Sequence, residues 1–457
     1  MRLNGFQDRT VAVVGLGLSG RATVRALAAG GARLQVWDDA AAAREAAAEA
    51  GLPVVAPEDM AWGRAAALVL SPGVPLTHPK PHPAVRAARA AGVEVIGDVE
   101  LFLRAGPGGR LAAISGTNGK STTTALLGHV LARAGRAVQV GGNLGTPALD
   151  LDRFPAGTEG ITVLELSSYQ IDLTPSLKPD VAVLLNISPD HLDRHGGLAG
   201  YVAVKRRLCA GQTAGQVAVV SVDDDHCRRI AADLAAAGHR VVPVSVGEAR
   251  AEGVSVVDGR LFEGPEEIAD LGAARALPGA HNWQNAAAAY GAARALGLAP
   301  AEIVAGLADF PGLAHRQEQI ADIGGIRFVN DSKATNAQAT ARALACYDAI
   351  YWIAGGRPKE GGLASLAPSF GRIRHAFLIG EAANQFAAEL DGRVCYTIAG
   401  DLTTAVRAAW RRAAKDPRGG GVILLSPAAA SFDQFANFEA RGEAFRAAVG
   451  RLGRGPA

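Results

Sequence analysis

Twice within its first 122 residues the chain passes from a short apolar run through a glycine-rich turn directly into a helix-forming segment. Thr10-Val-Ala-Val-Val14 stops at the turn Gly15, Leu16, Gly17, Leu18, Ser19, Gly20, and good helix formers follow from Arg21 to Ala29. Leu111-Ala-Ala-Ile114 stops at Ser115, Gly116, Thr117, Asn118, Gly119, and a helix is expected from Lys120. A strand covered on both faces must be apolar throughout, and a turn that drops straight into a helix needs glycine. Both segments therefore read as the start of a βαβ unit in a parallel sheet.

The rest of the chain repeats this alternation. Arg33–Trp37, Ala65–Leu70, Ile161–Leu166, Val181–Leu185 and Gln216–Val222 read as strands, and Asn282–Leu296 as a helix. Beyond Leu313, strands are expected at Ile326–Val329, Ala349–Ile353, Ala376–Ile379 and Gly421–Leu425, with alanine-rich helices between them. The fold class is α/β with doubly wound sheets. At roughly 150 residues per domain, 457 residues make three domains. They are a Rossmann-like N-terminal domain over 1–97, a central P-loop ATPase-type domain over 98–312 and a C-terminal Rossmann-like domain over 313–457, with Phe310-Pro311-Gly312 as the last break.

Composition excludes several functions. Lys plus Arg (46) against Asp plus Glu (44) leaves a net charge of +2, so no broad basic surface favours nucleic acid or an anionic membrane. Aromatics at 5% offer few stacking platforms for single strands. Cys209, Cys227, Cys346 and Cys395 form no C-x-x-C pair and read as buried or inert thiols. No signal-like run opens the chain and none reaches the ~18 apolar residues of a membrane span. A cytoplasmic protein is expected, with an uninformative tail from Arg451 to Ala457.

The two turns carry the chemistry. Gly15 to Gly20 is a complete G-x-G-x-x-G, and Asp38 ends the next strand about 20 residues on. Backbone N–H groups and a helix N-terminus there suit any pyrophosphate, in NAD or in a nucleotide sugar. The alternative is that the glycines only let strand and helix pack closely. In Gly116, Thr117, Asn118, Gly119, Lys120, Ser121, Thr122, the loop N–H groups would cradle phosphate, Lys120 would reach the γ-phosphate and Ser121 would bind Mg²⁺. Ile114 stands where the general P-loop pattern has its first glycine, so this loop is shorter.

Magnesium needs hard oxygen ligands near the carboxyl ends of adjacent strands. Glu165 ends one candidate strand, and His191 follows another in Asn186-Ile-Ser-Pro-Asp-His-Leu-Asp-Arg-His195. Either alone could be a solvated loop residue; together they form the favoured pair. The four-residue spacing of His191 and His195 could suggest zinc, but no cysteine or H-E-x-x-H accompanies it. Lys205 reads by default as a surface lysine on a helix.

Gly116 to Thr122, Gly141-Gly-Asn-Leu-Gly145, Glu165-Leu-Ser-Ser-Tyr-Gln170, Asp190-His191, Gly279-Ala-His-Asn-Trp-Gln-Asn285, His315-Arg316 and Asn330-Asp-Ser-Lys-Ala-Thr-Asn336 resemble, in order and almost end to end, the Mur ligases of peptidoglycan synthesis. Asn330 to Asn336 and Leu425 to Glu439 resemble the branch of that family that adds glutamate. The resemblance implies an ATP-dependent ligase joining D-glutamate to UDP-MurNAc-L-Ala through an acyl phosphate, with ATP and two Mg²⁺ sites; a monomer is expected, although the sequence does not fix the oligomeric state. It implies that Gly15 to Gly20 holds the diphosphate, with the uracil side near Asp38 and Ser71-Pro72-Gly73, and that Asn143 lies near the reacting end. Lys120, His191 and Lys205 would be the catalytic groups. Ser121 and Glu165 would hold one Mg²⁺ and His191 a second, and Lys205 would be a carbamylated metal ligand. Asn285, Arg316 and Asp331 would contact the nucleotide. Lys333, Thr335, Lys359, Ser431 and Phe438 would surround the glutamate. Arg357-Pro358 stands where relatives often carry Asp-Gly, and Phe432 where some carry Leu.

A nicotinamide-dependent dehydrogenase would use Gly15 to Gly20 and Asp38 but leave Gly116 to Thr122 without a task. Folylpolyglutamate synthase would share the ATPase unit but not the first domain, and a tripeptide-forming Mur ligase would be expected to carry an Asp-Asn-Pro-Arg stretch absent here. A non-enzymatic P-loop protein is the alternative of a different class. Because each domain would hold one substrate, closure about Pro311-Gly312 is expected.

Overall fold

The computed structural model describes residues 1–274, 276–359 and 361–452. Glu360, inside the loop Gly355 to Gly362, and the tail from Gly453 lie outside the described residues. The chain forms two compact units. One holds Met1–Ala273 and Asn282–Phe310; the other begins at Pro311 and takes in the segment ending at His281.

The first unit contains two sheets. Strands β1 (Thr10–Val14), β2 (Arg33–Trp37), β3 (Ala65–Leu70) and β4 (Val95–Ile96) form an all-parallel sheet in the order β2-β1-β3-β4. The second sheet has nine strands: β5 (Arg110–Ser115), β6 (Val138–Gly142), β7 (Ile161–Glu165), β8 (Val181–Leu184), β9 (Val217–Ser221), β10 (Arg240–Val246), β11 (Val254–Val257), β12 (Arg260–Glu263) and β13 (Glu266–Asp270). Their order is β13-β12-β11-β10-β9-β8-β5-β7-β6, parallel except where β12 pairs with β11 and β13. The second unit has one sheet. It comprises β14 (Glu318–Ile323), β15 (Ile326–Asn330), β16 (Ile350–Gly355), β17 (Ile373–Ile379), β18 (Tyr396–Gly400) and β19 (Gly421–Leu425), ordered β14-β15-β19-β16-β17-β18 with only β14 antiparallel.

Alternate residues of single strands enter separate cores, which is what helices on both faces require. In β1, Val11 and Val13 join one cluster while Ala12 and Val14 join another. In β16, Trp352 and Ala354 face one core and Tyr351 and Ile353 the other. The cluster containing Val11 and Val13 continues through Ala113, Leu164, Leu184 and Val220, so the first two sheets share a continuous apolar core. Burying each Val or Leu side chain contributes about 1.5–3 kcal/mol.

Several expectations are corrected. The first helix begins at Leu18 rather than Arg21, inside the glycine turn, which aims its N-terminus at the turn itself. Cys209 and Cys227 are buried, but Cys346 is half-buried and Cys395 exposed, because Cys395 leads into the edge strand β18. Among the described residues no helix is long and apolar enough to cross a membrane.

Candidate functional site

In the first sheet, Gly15 to Gly20 bridges β1 and the helix Leu18–Ala29. The three glycines do different work. A Cβ on Gly20 would lie 1.8 Å from the Gly15 carbonyl oxygen, so Gly20 is needed for packing, whereas a Cβ on Gly17 would meet nothing within 4 Å. The open space at Gly17 is room for a ligand to approach the backbone. The Asp38 carboxylate accepts the Leu16 and Ala40 backbone N–H groups at 2.6 and 2.9 Å, so it closes the turn. Ser71, after β3, donates its hydroxyl to the Gly15 carbonyl at 2.7 Å, which brings Ser71, Pro72 and Gly73 beside the turn. Leu18 is 69% exposed and Ser19 is half-buried on the same turn.

In the second sheet, Gly116 to Gly119 joins β5 to the helix Lys120–Arg133. Gly119 has φ 83°, and a Cβ there would lie 2.2 Å from Asn285 Oδ1. Asn285 therefore packs against the loop, and its Oδ1 also accepts the Thr123 hydroxyl. Asn186, after β8, braces the loop from outside: its carbonyl and Oδ1 accept the Thr117 and Asn118 N–H groups at 2.7 and 2.9 Å. Lys120 Nζ donates to the Gly116 and Thr117 carbonyls at 3.0 and 2.9 Å, holding its charge at the loop mouth. Ser121 is buried in the first turn of the helix, with Thr122 beside it.

Glu165, at the end of β7, is buried. Its Oε1 accepts Asn143 Nδ2 at 2.6 Å, and its Oε2 has no hydrogen-bond partner. Asn143 follows β6, and its N–H donates to the Glu165 carbonyl at 2.8 Å. Lys205, expected on a surface, is instead 1% exposed, because the inner side of the helix Leu198–Ala210 lies over the end of β5. Its Nζ donates to Ser115 Oγ at 2.8 Å and to the Gly116 carbonyl at 2.9 Å. Burial, followed by the nearby charge of Lys120, holds this amine well below the ordinary lysine range. His191 is exposed, with φ 51°, its Nε2 3.4 Å from Asp190 and its ring 5.0 Å from that of Tyr169. That backbone breaks the helical spacing between His191 and His195, since only Leu192–His195 is helical. Among the described residues no three His, Cys, Asp or Glu side chains gather as a metal cluster.

Tyr201 was not singled out by sequence reasoning. Its hydroxyl lies 3.0 Å from Thr117 Oγ1, which donates to the Ser188 carbonyl and accepts the Ser188 N–H. Tyr201 is therefore the donor to Thr117, and burial pushes its phenol up to about 12.

The second unit gathers its own set at the carboxyl ends of β15 and β19. Asp331 is buried, accepting the Ser426 hydroxyl at 2.8 Å and the Gln317 N–H at 3.2 Å. Burial raises it to about 7, against the opposing pull of Arg316. Lys333 Nζ stands 3.8 Å over the Phe438 ring, and the Thr335 N–H turns back onto the Lys333 carbonyl. Ser431 is buried, while Lys359 and Phe432 are exposed. Arg357 pairs through its backbone with Ala430 at 2.8 and 3.1 Å, which carries the segment leading to Lys359 alongside the one leading to Ser431. Arg441 was missed: fully buried, it donates to the Ser332 hydroxyl and carbonyl and to the Gly355 and Ala429 carbonyls at 2.9–3.4 Å. One cation thereby ties together three strand-end loops; burial lowers it to about 10.

Comparison with known proteins adds to this geometry. The profile of the Mur ligase middle domain matches residues 114–293, and that of the Mur ligase MurD-like N-terminal domain matches residues 9–97. The UDP-N-acetylmuramoylalanine–D-glutamate ligase of Paramagnetospirillum magneticum is 55% identical over 452 residues, covering 99% of this chain and 98% of the relative. The enzyme of the same name from Caulobacter vibrioides strain NA1000 is 54% identical over 464 residues, with the same coverage. Among solved structures, a UDP-N-acetylmuramate–alanine ligase from Thermotoga maritima superposes with a TM-score of 0.59 at 17% identity, covering 98% of this chain and 100% of that one. At that identity the likeness speaks for the fold.

Proposed function

Since the chain belongs to the Mur ligase family of ATP-dependent amide ligases, we propose that it joins D-glutamate to UDP-N-acetylmuramoyl-L-alanine. The observation that carries the choice of substrates is the likeness over 99% of the chain to relatives named for that reaction. In this reading residues 1–97 hold the uridine end, 98–312 hold ATP and 313–457 hold glutamate.

The alanyl carboxylate attacks the γ-phosphorus, giving an acyl phosphate and ADP. The glutamate amine then attacks the acyl carbon, loses a proton and expels phosphate. The Gly15 to Gly20 turn binds the diphosphate, where Gly17 leaves space, with Asp38 and Ser71 to Gly73 on the uracil side. Asn143 orients the reacting end of the acceptor. The loop Gly116 to Thr122 cradles the ATP phosphates, and Lys120 exchanges its loop carbonyls for the γ-phosphate. Asn285, Arg316 and Asp331 hold the rest of the nucleotide. Lys333, Thr335, Lys359, Ser431 and Phe438 receive the glutamate.

The residues present fit Mg²⁺. Glu165 offers a buried oxygen with no protein partner, Ser121 a hydroxyl at the loop, and phosphate oxygens and water would complete the shell. His191 is the group for a second ion. Mg²⁺, when bound, supplies charge neutralisation on the phosphoryl oxygens. Lys205 would join this set as a carbamate: its ammonium would lose one proton and the resulting amine would add CO₂ and release a second, so that a cation is exchanged for a carboxylate-like ligand. The shift of Lys205 towards the neutral amine favours that addition. Phosphate release with UDP-N-acetylmuramoyl-L-alanine tests the reading. It should require D-glutamate; equal rates with L-glutamate or meso-diaminopimelate, or none with any of the three, would overturn it.

A further inference from the structure

The backbone carbonyls of three consecutive residues in the loop after β3 converge on one side chain from the second sheet. Arg194 Nη1 donates to Gly73 at 2.7 Å, and Nη2 donates to Val74 at 2.9 Å and Pro72 at 3.3 Å. The loop is a tight one, closed by the Val74 N–H on the Ser71 carbonyl, and Ser71 is in turn bonded to Gly15 of the glycine turn. On its other side the guanidinium lies 4.6 Å over the ring of Tyr169, which sits in the helix Ser168–Asp172 just past Glu165. Arg194 is itself in the four-residue helix that follows His191. A single planar cation thus touches the segment that fixes the glycine turn and both segments that leave the metal-candidate strand ends.

We propose that Arg194 is a positioning residue that sets the distance from the uridine-diphosphate turn to the ATP and metal groups. The proposal rests on the functional reading above, in which one substrate must span those two places. Acceptor carboxylate and γ-phosphorus react only at near contact, and a displacement of about 1 Å can cost about a hundredfold. Only arginine suits the post: its fork reaches several carbonyls at once while its flat face stacks on a ring, which a lysine ammonium cannot do. Both terminal nitrogens already serve carbonyls, so the side chain acts through the loop and not on substrate.

Arg194→Met and Arg194→Lys test this. Both should lower kcat/KM for the muramoyl substrate by about a hundredfold, with the KM for ATP and the Tm close to those of the parent. Rescue by lysine would reduce the role to charge and overturn the proposal, as would an unchanged kcat/KM in the methionine variant or a parallel loss for both substrates with a lowered Tm. A second measurement needs no turnover. Spin labels at Leu18→Cys and Leu192→Cys, both exposed positions, in a background with Cys346→Ser and Cys395→Ser, report the separation directly. The distance distribution should broaden in Arg194→Met, and an unchanged one overturns the proposal. If the parent protein releases no phosphate with its three substrates, the functional reading fails, and the label distances still decide the role of Arg194.

Discussion

Asn143 Nδ2 donates to Glu165 Oε1 at 2.6 Å and so fixes a buried carboxylate whose other oxygen has no protein partner. Leaving such an oxygen unsatisfied costs about 1–3 kcal/mol, a cost that a bound cation would remove. Glu165→Gln should therefore fold with a Tm equal to or above that of the parent. Its phosphate release should fall by about tenfold or more, at 1.4 kcal/mol per tenfold, and should need more Mg²⁺ for half-maximal rate. An unchanged magnesium titration would remove Glu165 from the metal site.

The glycines of the first turn separate binding from packing. Gly20→Ala drives a Cβ into the Gly15 carbonyl and should lower stability by about 1–3 kcal/mol. Gly17→Ala enters open space at φ −66°, which alanine tolerates, and should leave the Tm alone. It should weaken uridine-nucleotide binding by about tenfold, or 1.4 kcal/mol. Calorimetric titration with UDP beside a melting curve distinguishes the two, and full affinity in Gly17→Ala would mean that the open space is not the ligand's.

Lys205 should carry a carbamate. Its amine is buried against Ser115 and Gly116, and burial with the nearby charge of Lys120 lowers its pKa well below the usual range, which favours the uncharged nitrogen that CO₂ requires. Protein equilibrated with ¹³C-bicarbonate should show a carbamate carbon resonance that is absent from Lys205→Arg. That variant should lose at least about a hundredfold in turnover, the scale of one lost electrostatic group. A fully active protein in carbonate-free buffer with no such resonance would refute the modification.

Asp331 gives the second unit a pH dependence. Because burial raises its carboxyl from 3.8 to about 7, the folded chain holds a proton over that interval that the unfolded chain has lost. Stability from this group is complete below the unfolded value and is lost as pH rises through about 7. The Tm of the parent minus that of Asp331→Asn should therefore fall between about pH 4 and pH 7 and level off above that. The subtraction cancels His281 and His375, whose depressed values act in the opposite direction. A difference that stays flat would show that Asp331 is ionised throughout.

The central strands were legible because burial on both faces leaves a continuous apolar run: β1, β2, β3 and β19 fall on the expected residues. β14, Glu318–Ile323, escaped because it pairs on one side only and mixes polar with apolar residues without a continuous apolar run. β18 is the opposite edge of the same sheet and was missed for the same reason. The loops that hold Lys120 and Ser121 could be read locally, since turn and helix are adjacent in the chain. Lys205 could not, because its burial depends on Ser115, which is 90 residues away. Arg441 and Arg194 share that difficulty: each is defined by carbonyls from distant loops, and a carbonyl leaves no mark in a sequence.

The nine-stranded sheet divides its labour unevenly. Glu165 ends β7, Asn143 follows β6, the phosphate loop follows β5 and the His191 segment follows β8, whereas β10 to β13 carry none of the candidate groups. One flank is bound by chemistry and the other only by the need to stay apolar where it is covered. Inherited variation should therefore collect on the β10–β13 side, and that flank is where a lineage could lengthen, trim or decorate the chain without disturbing catalysis.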